Sequence, residues 1–201
     1  MNASRTRTPS TTVESALLAA AARVLETEGP EALTVRHIAK EAGVAPMGVY
    51  SRFESKAGII EALFRLGFQT LAEEFSTLDD FGDPIDALFE AGRRYRLLAI
   101  AHPRIYQLMF DRSIPGFEPS ESAKIDAARA FEGLVHVVRR AIDAGVAHSE
   151  DPALLAQVIW ASCHGWVSLE LAGIGFVQDT ASGYEALCRA LLDGISSSEI
   201  S

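Results

Sequence analysis

Cysteine is nearly absent from this sequence: there are two in 201 residues, Cys163 and Cys188. That is too few for a disulfide framework, and no CxxC or HExxH spacing is present to hold a structural or catalytic zinc. Both cysteines fall in apolar helical patterns, which reads as reduced thiols in a cytoplasm. Long hydrophobic runs are missing too; none approaches the roughly 20 residues that span a bilayer. The polar, Arg-containing N-terminus lacks the apolar core of a signal peptide, so the expected location is cytoplasmic, with no membrane partner. No segment alternates as a strand does, there is no internal repeat, and no glycine-rich loop is built to cradle a phosphate. Basic residues are outnumbered, 18 Lys and Arg against 27 Asp and Glu, net −9, which excludes a generally basic nucleic-acid coat.

What is present is enough apolar content, 48%, for a real core, and enough length for a small domain plus a larger one. The charge is unevenly spread. Residues 1–56 hold seven Lys and Arg against six Asp and Glu, net +1, and the remainder holds eleven against twenty-one, net −10. Positive potential is therefore confined to the N-terminal third, as in a protein with one DNA-reading end and one acidic body.

The informative stretch runs from Thr34 to Lys56, TVRHIAKEAGVAPMGVYSRFESK. Thr34 suits an N-cap, and Ile38, Ala39 and Ala42 give the following helix one apolar face. Gly43 fits the left-handed position after that helix, with Val44 folding back onto the core. Pro46 suits the first position of a second helix. A small residue at the crossing (Ala39), a glycine at the turn and a β-branched plug (Val49) have the spacing of a helix-turn-helix, whose second helix offers its first side chains to the major groove. Those would be Pro46, Met47, Gly48 and Tyr50. Arg36, Tyr50, Ser51, Arg52 and Lys56 supply donors around them, and Ser55 can cap the next helix so that its N-terminus faces a phosphate. The competing reading is an ordinary helical hairpin with a solvated polar face.

The run Leu33-Thr34-Val35-Arg36, Ile38-Ala39, Ala42-Gly43-Val44, Val49-Tyr50, Arg52-Phe53, Ser55-Lys56 and Leu63 resembles the TetR family of bacterial transcriptional regulators, strongly over about residues 12–64. The resemblance implies that Arg36, Met47 and Gly48 face base edges while Thr34, Tyr50, Arg52 and Lys56 grip phosphates. It also implies a homodimer whose last two helices pair with their copies in a four-helix bundle, and a C-terminal domain that binds a small-molecule effector. Two residues depart from the pattern: Ala45 stands where a Ser or Thr cap is common, and Pro46, Met47 and Gly48 bring almost no hydrogen-bonding capacity. Readout would then rest on thymine methyl contacts, backbone contacts and DNA shape. The stretch Trp160–Glu170 is similar to the branch named for a Trp-His-Gly motif, here Cys163-His164-Gly165.

Taken in order, residues 1–10 read as a flexible arm in which Arg5 and Arg7 could reach a groove, residues 11–56 as the DNA-binding domain, and 57–201 as the ligand-binding and dimerisation domain. Thr11 and Glu14 fit a capping box before a scaffold helix with Leu17, Ala20, Ala21, Val24 and Leu25 inward. The helix after Lys56, with Ile60, Leu63, Phe64, Gly67, Phe68 and Leu71 on one stripe, joins the DNA-reading end to the body and is the expected lever. Asp83-Pro84 opens another helix, whose Arg93, Arg94 and Arg96 form a solvated or salt-bridged flank, and His102-Pro103 breaks it. Residues 111–120 read as loop, a gate around Pro115-Gly116. A long helix from Ser122 to Ala144 puts Phe131, Leu134, Val135 and Val138 inward. The fold class is all-α with about nine helices.

The helix opened by Asp151-Pro152 is apolar on nearly every side and must be covered all round. The expected dimer interface comprises Leu155, Ile159, Ala161, Gly165, Trp166, Ser168, Leu169 and Ala172 with Tyr184, Leu187, Leu191 and Ile195 of the last helix. Phe64, Phe68, Tyr95, Tyr106, Met109, Phe110, Phe117, Phe131, Trp160 and His164 are the candidates to enclose an apolar or aromatic molecule, in competition with a filled core. His102, His136, His148 and His164 with the cysteines show no paired ligand spacing, so neither enzyme, cofactor nor metal is expected. The expected function is a repressor released from double-stranded operator DNA by a small molecule. The alternatives are a regulator without an inducer, an activator, or a small helical enzyme. Ligand, operator and regulated genes are not encoded in any readable motif.

Overall fold

The structure, a computed structural model, describes residues 10–111 and 114–196, with side chains from residue 13. The expected arm with Arg5 and Arg7, and the Thr11 side chain of the expected capping box, lie outside the described residues. Among those described there are nine α-helices, two 3-10 turns and no strand. The helices are α1 (Ser10–Glu28), α2 (Val35–Glu41), α3 (Pro46–Phe53), α4 (Lys56–Ser76), α5 (Pro84–Ala101), α6 (Pro103–Phe110), α7 (Glu121–Asp143), α8 (Pro152–Leu171) and α9 (Thr180–Ser196).

They form two compact units. The first takes the chain up to Gly67 together with Arg104–Ala123; the second takes Phe68–Pro103 and the chain from Lys124 onward. This division differs from the cut at residue 56 expected from the sequence. Helix α4 is continuous through the change at Gly67, and α6 belongs with the first unit although it follows α5 in the chain.

In the first unit, α1 buries the expected stripe: Leu17, Ala20, Ala21, Val24 and Leu25 are essentially inaccessible. Helix α1 packs on α2 and α3, and Ile38, Ala39, Val49, Phe53, Ile59 and Leu63 are buried too; burial of these apolar side chains is the dominant stabilising term for so small a unit. The Glu26 carboxylate of α1 also accepts from the first free N–H groups of α6, those of Arg104 and Ile105.

In the second unit, α5 packs on α8 and α9. Two aspartates start helices as expected. The Asp83 carboxylate accepts from the N–H groups of Ile85 and Asp86, and that of Asp151 from Ala153 and Leu154. The arginine flank of α5 is salt-bridged: Glu90 accepts from Arg93 and Arg94, and Arg96 forms a two-pronged pair with Glu170 of α8. Helix α7 buries Leu134 and Val138, but Val137 is buried where Val135 was expected, and Phe131 and Val135 are half-buried. Among the described residues no helix is long and apolar enough to cross a membrane.

Candidate nucleic-acid interface

The turn between α2 and α3 closes as the residue types dictate. Thr34 Oγ1 accepts from the N–H of His37, capping α2. At its other end Gly43, at φ +67°, lets its own N–H reach the Lys40 carbonyl and that of Val44 reach the Ala39 carbonyl, so two of the last carbonyls are satisfied inside the turn. Pro46 opens α3 behind Ala45, which has no capping side chain. Val49 and Phe53 face inward, and the opposite side of α3 faces solvent: Met47 is 75% exposed and Tyr50 52% exposed.

The junction from α3 to α4 is tighter. Glu54 has φ +59° and ψ −40°, and the N–H of Ser55 bonds back to the Phe53 carbonyl, making a γ-turn in a region that side chains rarely adopt. Ser55 Oγ then accepts from the N–H of Gly58 and caps α4. A side chain on Gly58 would begin 2.0 Å from the Phe53 carbonyl oxygen, so this approach admits glycine alone.

These two turns create an open groove lined by Leu33, Thr34, Val35, Arg36, Tyr50, Glu54, Ser55 and Lys56. Of the residues singled out in the sequence it gathers Thr34, Arg36, Tyr50, Ser55 and Lys56. Pro46 and Met47 form the exposed tip of α3 beside Gly48. Ser51 and Arg52 do not line the groove: Arg52 Nη1 donates to Ser51 Oγ at 2.9 Å, and Ser51 Oγ donates to the Gly48 carbonyl at 3.1 Å. Leu33, Val35 and Glu54 were not foreseen. Glu54 was hidden because its place in the groove follows from a strained turn that its residue type does not signal. Lys56 Nζ stands 4.0 Å from Glu31, a contact too exposed to hold it.

The ten residues expected to enclose a ligand are divided equally. Phe64, Tyr106, Met109, Phe110 and Phe117 lie in the first unit, where Phe64 packs on Phe117 and Tyr106 on Phe110. Phe68, Tyr95, Phe131, Trp160 and His164 lie in the second. There Trp160 packs on Phe131 and donates from Nε1 to the Tyr95 hydroxyl at 3.2 Å. That hydroxyl is 3.1 Å from His164 Nδ1, and His164 Nε2 is 3.3 Å from Ser168 Oγ. The polar partner that a mid-helix histidine in apolar surroundings requires is thus present. Beside this chain is a cavity of about 20 Å³, room for a water-sized group, lined by Tyr95 and Trp160 with Phe75, Ala91, Gly92, Leu134, Ile159 and Cys163. The loop expected as a gate makes a turn in which the N–H of Phe117 bonds to the Ile114 carbonyl.

The outward face of α8 carries Leu154, Val158, Ala161, Gly165 and Leu169, with Ala172 just past its end, a mostly apolar stripe that also holds the exposed Gln157. Four of these were expected at a dimer interface; Leu154 and Val158 were not. Two expected there lie in the core of their own chain: Ile159, in the cavity wall, and Tyr184, whose hydroxyl donates to the Gly92 carbonyl at 2.7 Å. Leu155, Trp166, Ser168, Leu187, Leu191 and Ile195 are half-buried. A helix apolar all round gives no polar face by which the sequence tells inward from outward. Among the described residues no group of three or more His, Cys, Asp and Glu is placed to hold a metal ion.

A solvent-facing second helix, a closed four-residue turn and a capped helix start beside them define a helix-turn-helix DNA-binding protein. Residues 17–63 match the family profile described as bacterial regulatory proteins, tetR family, and residues 88–194 match that of the tetracyclin repressor-like C-terminal domain. The chain belongs to the TetR family of transcriptional regulators, a family of DNA-binding proteins and not of enzymes. A protein of unknown function from Rhodococcus sp. RHA1 is similar in structure, with TM-score 0.81 and 22% identity over 98% of this chain and 100% of that one. The TetR family transcriptional regulator PfmR from Thermus thermophilus superposes with TM-score 0.64 and 22% identity over 90% and 96% of the two chains. The TetR transcriptional regulator SCO0520 from Streptomyces coelicolor does so with TM-score 0.64 and 24% identity over 92% and 99%. No curated protein matches the sequence. Regulators of this family bind operator DNA and act as dimers.

Proposed function

We propose that this regulator is a homodimeric repressor that leaves its operator when a small apolar or aromatic molecule binds its C-terminal domain. The observation that carries the DNA-binding half is the groove uniting Thr34, Arg36, Tyr50 and Lys56 beside the exposed Met47. Arg36, Met47 and Gly48 meet base edges; Thr34, Tyr50 and Lys56 and the capped start of α4 hold phosphates. Ser51 and Arg52 are tied to each other and to the Gly48 carbonyl within α3, with Arg52 turning to phosphate only on leaving Ser51. Because Pro46, Met47 and Gly48 offer so few hydrogen bonds, shape and methyl contacts carry much of the discrimination.

The largely apolar stripe of α8 supports pairing of two copies, since an exposed face of this kind is otherwise a liability in water. The effector enters the second unit by widening the cavity beside Tyr95, Trp160 and His164, whose hydrogen-bond chain offers it one polar anchor. Coupling between effector and operator of about 1–3 kcal/mol changes DNA affinity by one to two decades. A second reading, regulation without an inducer, is favoured by the narrowness of that cavity.

The test is a gel-shift titration on DNA flanking the protein's own gene, repeated with a panel of small aromatic compounds that raise the melting temperature. Release of DNA by a stabilising compound supports the proposal. Stabilising compounds that leave DNA affinity unchanged favour the second reading, and absence of salt-sensitive, sequence-preferring binding overturns the DNA-binding half.

A further inference from the structure

The chain's two cysteines come from different helices and meet at one place. Cys163 of α8 and Cys188 of α9 are both buried, and both face the same point of α5: a side chain begun at Gly92 would meet Cys188 Sγ at 3.0 Å and Cys163 Sγ at 3.9 Å. Neither is in a disulfide. A cavity of about 20 Å³, lined by Gly92, Ile159, Leu88 and Leu191 among others, opens onto both sulfurs. Filling volume alone would ask for alanine or valine at these sites; two thiols facing each other where a glycine makes room is a chemical arrangement.

We propose that Cys163 and Cys188 form a reversible intramolecular disulfide, making this core a site that reacts with hydrogen peroxide. The Cys163 thiolate attacks one peroxide oxygen; an S–O bond forms, the O–O bond breaks, and the departing hydroxide takes up the proton that Cys163 released, leaving as water. The sulfur of Cys188 then attacks the sulfenic sulfur of Cys163. The S–S bond forms, the S–O bond breaks, and the Cys188 proton leaves with the hydroxide as a second water. Two electrons pass from the thiol pair to the peroxide.

The two thiols act on each other. Hydrogen bonding from the Cys188 thiol, with a further contribution from the Tyr184 hydroxyl, holds the Cys163 thiol below its ordinary range against the opposing effect of burial. Its interaction with Cys163, together with burial, pushes the Cys188 thiol up. We assign Cys163 as the attacking sulfur and Cys188 as the resolving one, an order that dimedone labelling tests. The cavity admits a molecule the size of water or hydrogen peroxide and excludes bulky oxidants. An S–S bond of about 2.0 Å ties α8 to α9 directly across Gly92. This inference is independent of the effector proposed above.

The experiment treats the reduced full-length protein with hydrogen peroxide and titrates its thiols after denaturation. The count is expected to fall from two to none and to return to two with dithiothreitol, and a non-reducing digest is expected to join the Cys163 and Cys188 peptides of one chain. In the Cys188→Ser protein, dimedone is expected to label Cys163. A thiol count that stays at two while a cysteine peptide in the same tube is oxidised overturns the proposal. So does a disulfide between chains, or a sulfinic acid without any link. Dimedone labelling of Cys188 in the Cys163→Ser protein overturns the assigned order.

Discussion

The Glu26 carboxylate of α1 lies 2.9 Å from the backbone nitrogen of Ile105 and 3.1 Å from that of Arg104, so a side chain from one helix caps the N-terminus of another. Arg104 returns the contact, donating from Nη1 to the Leu25 carbonyl at 2.9 Å. A carboxylate at a helix start satisfies otherwise unpaired N–H groups and complements the helix dipole. Glu26→Ala is expected to destabilise the protein by about 1–2 kcal/mol, the usual cost of losing a cap. Urea unfolding measures it; a change within the error of the method would show the cap to be dispensable.

Two glycines of the DNA-reading end separate backbone strain from steric clash. A side chain on Gly43 meets nothing within 4 Å, so only the positive φ opposes it, and Gly43→Ala should cost about 1–2 kcal/mol. Gly58→Ala places a carbon against the Phe53 carbonyl and must move the start of α4. Thermal denaturation is expected to rank Gly58→Ala as clearly the more damaging, with the larger loss of DNA binding.

Glu90 supplies a pH dependence. Hydrogen bonding from Arg93 comes first among the causes that hold its carboxyl at about 2, below an ordinary value of 4.5, with burial opposing and Arg94 assisting. The folded value is the depressed one, so this stability is present above about pH 4.5 and is lost as pH falls towards about 2. Glu90→Gln is expected to lower stability at neutral pH and to flatten the acid limb of a stability-against-pH curve. An unaltered acid limb would contradict the assignment.

The α8 stripe makes a prediction about assembly. Leu154→Glu with Val158→Glu places two carboxylates on the face proposed to pair, where burial would leave them uncompensated. Sedimentation velocity is expected to show monomers for this double variant and dimers for the parent chain. Equal sedimentation coefficients would move the interface elsewhere.

How far the residues announced this arrangement depends on the kind of signal each carries. Thr34, Gly43 and Pro46 act within one helical turn, so cap, turn and helix start follow from residue type alone. The stripe of α1 was legible from its spacing, Leu17, Ala20, Ala21, Val24 and Leu25 recurring at helical intervals, although Ala16, Ala19 and Ala22 outside it are apolar too. Helix α8 was not: with leucine, isoleucine, valine and tryptophan on every side, only the packing of α5 and α9 distinguishes Ile159 inside from Val158 outside. The pairing of Cys163 with Cys188, and the chain from Trp160 through Tyr95 to His164, arise from contacts between distant segments that no local pattern reports.

The central claim is that the groove between α2 and the start of α4 grips duplex DNA while Arg36 and the tip of α3 read it. Its most direct test is a salt-dependent binding titration of the parent chain, Lys56→Ala and Arg36→Ala on an operator and its base-substituted variants. Lys56→Ala is expected to weaken binding to every sequence alike and to reduce the salt slope by about 1, whereas Arg36→Ala also relaxes the preference among bases. Equal losses for both variants across the whole set, with the parent's sequence preference retained, would contradict it.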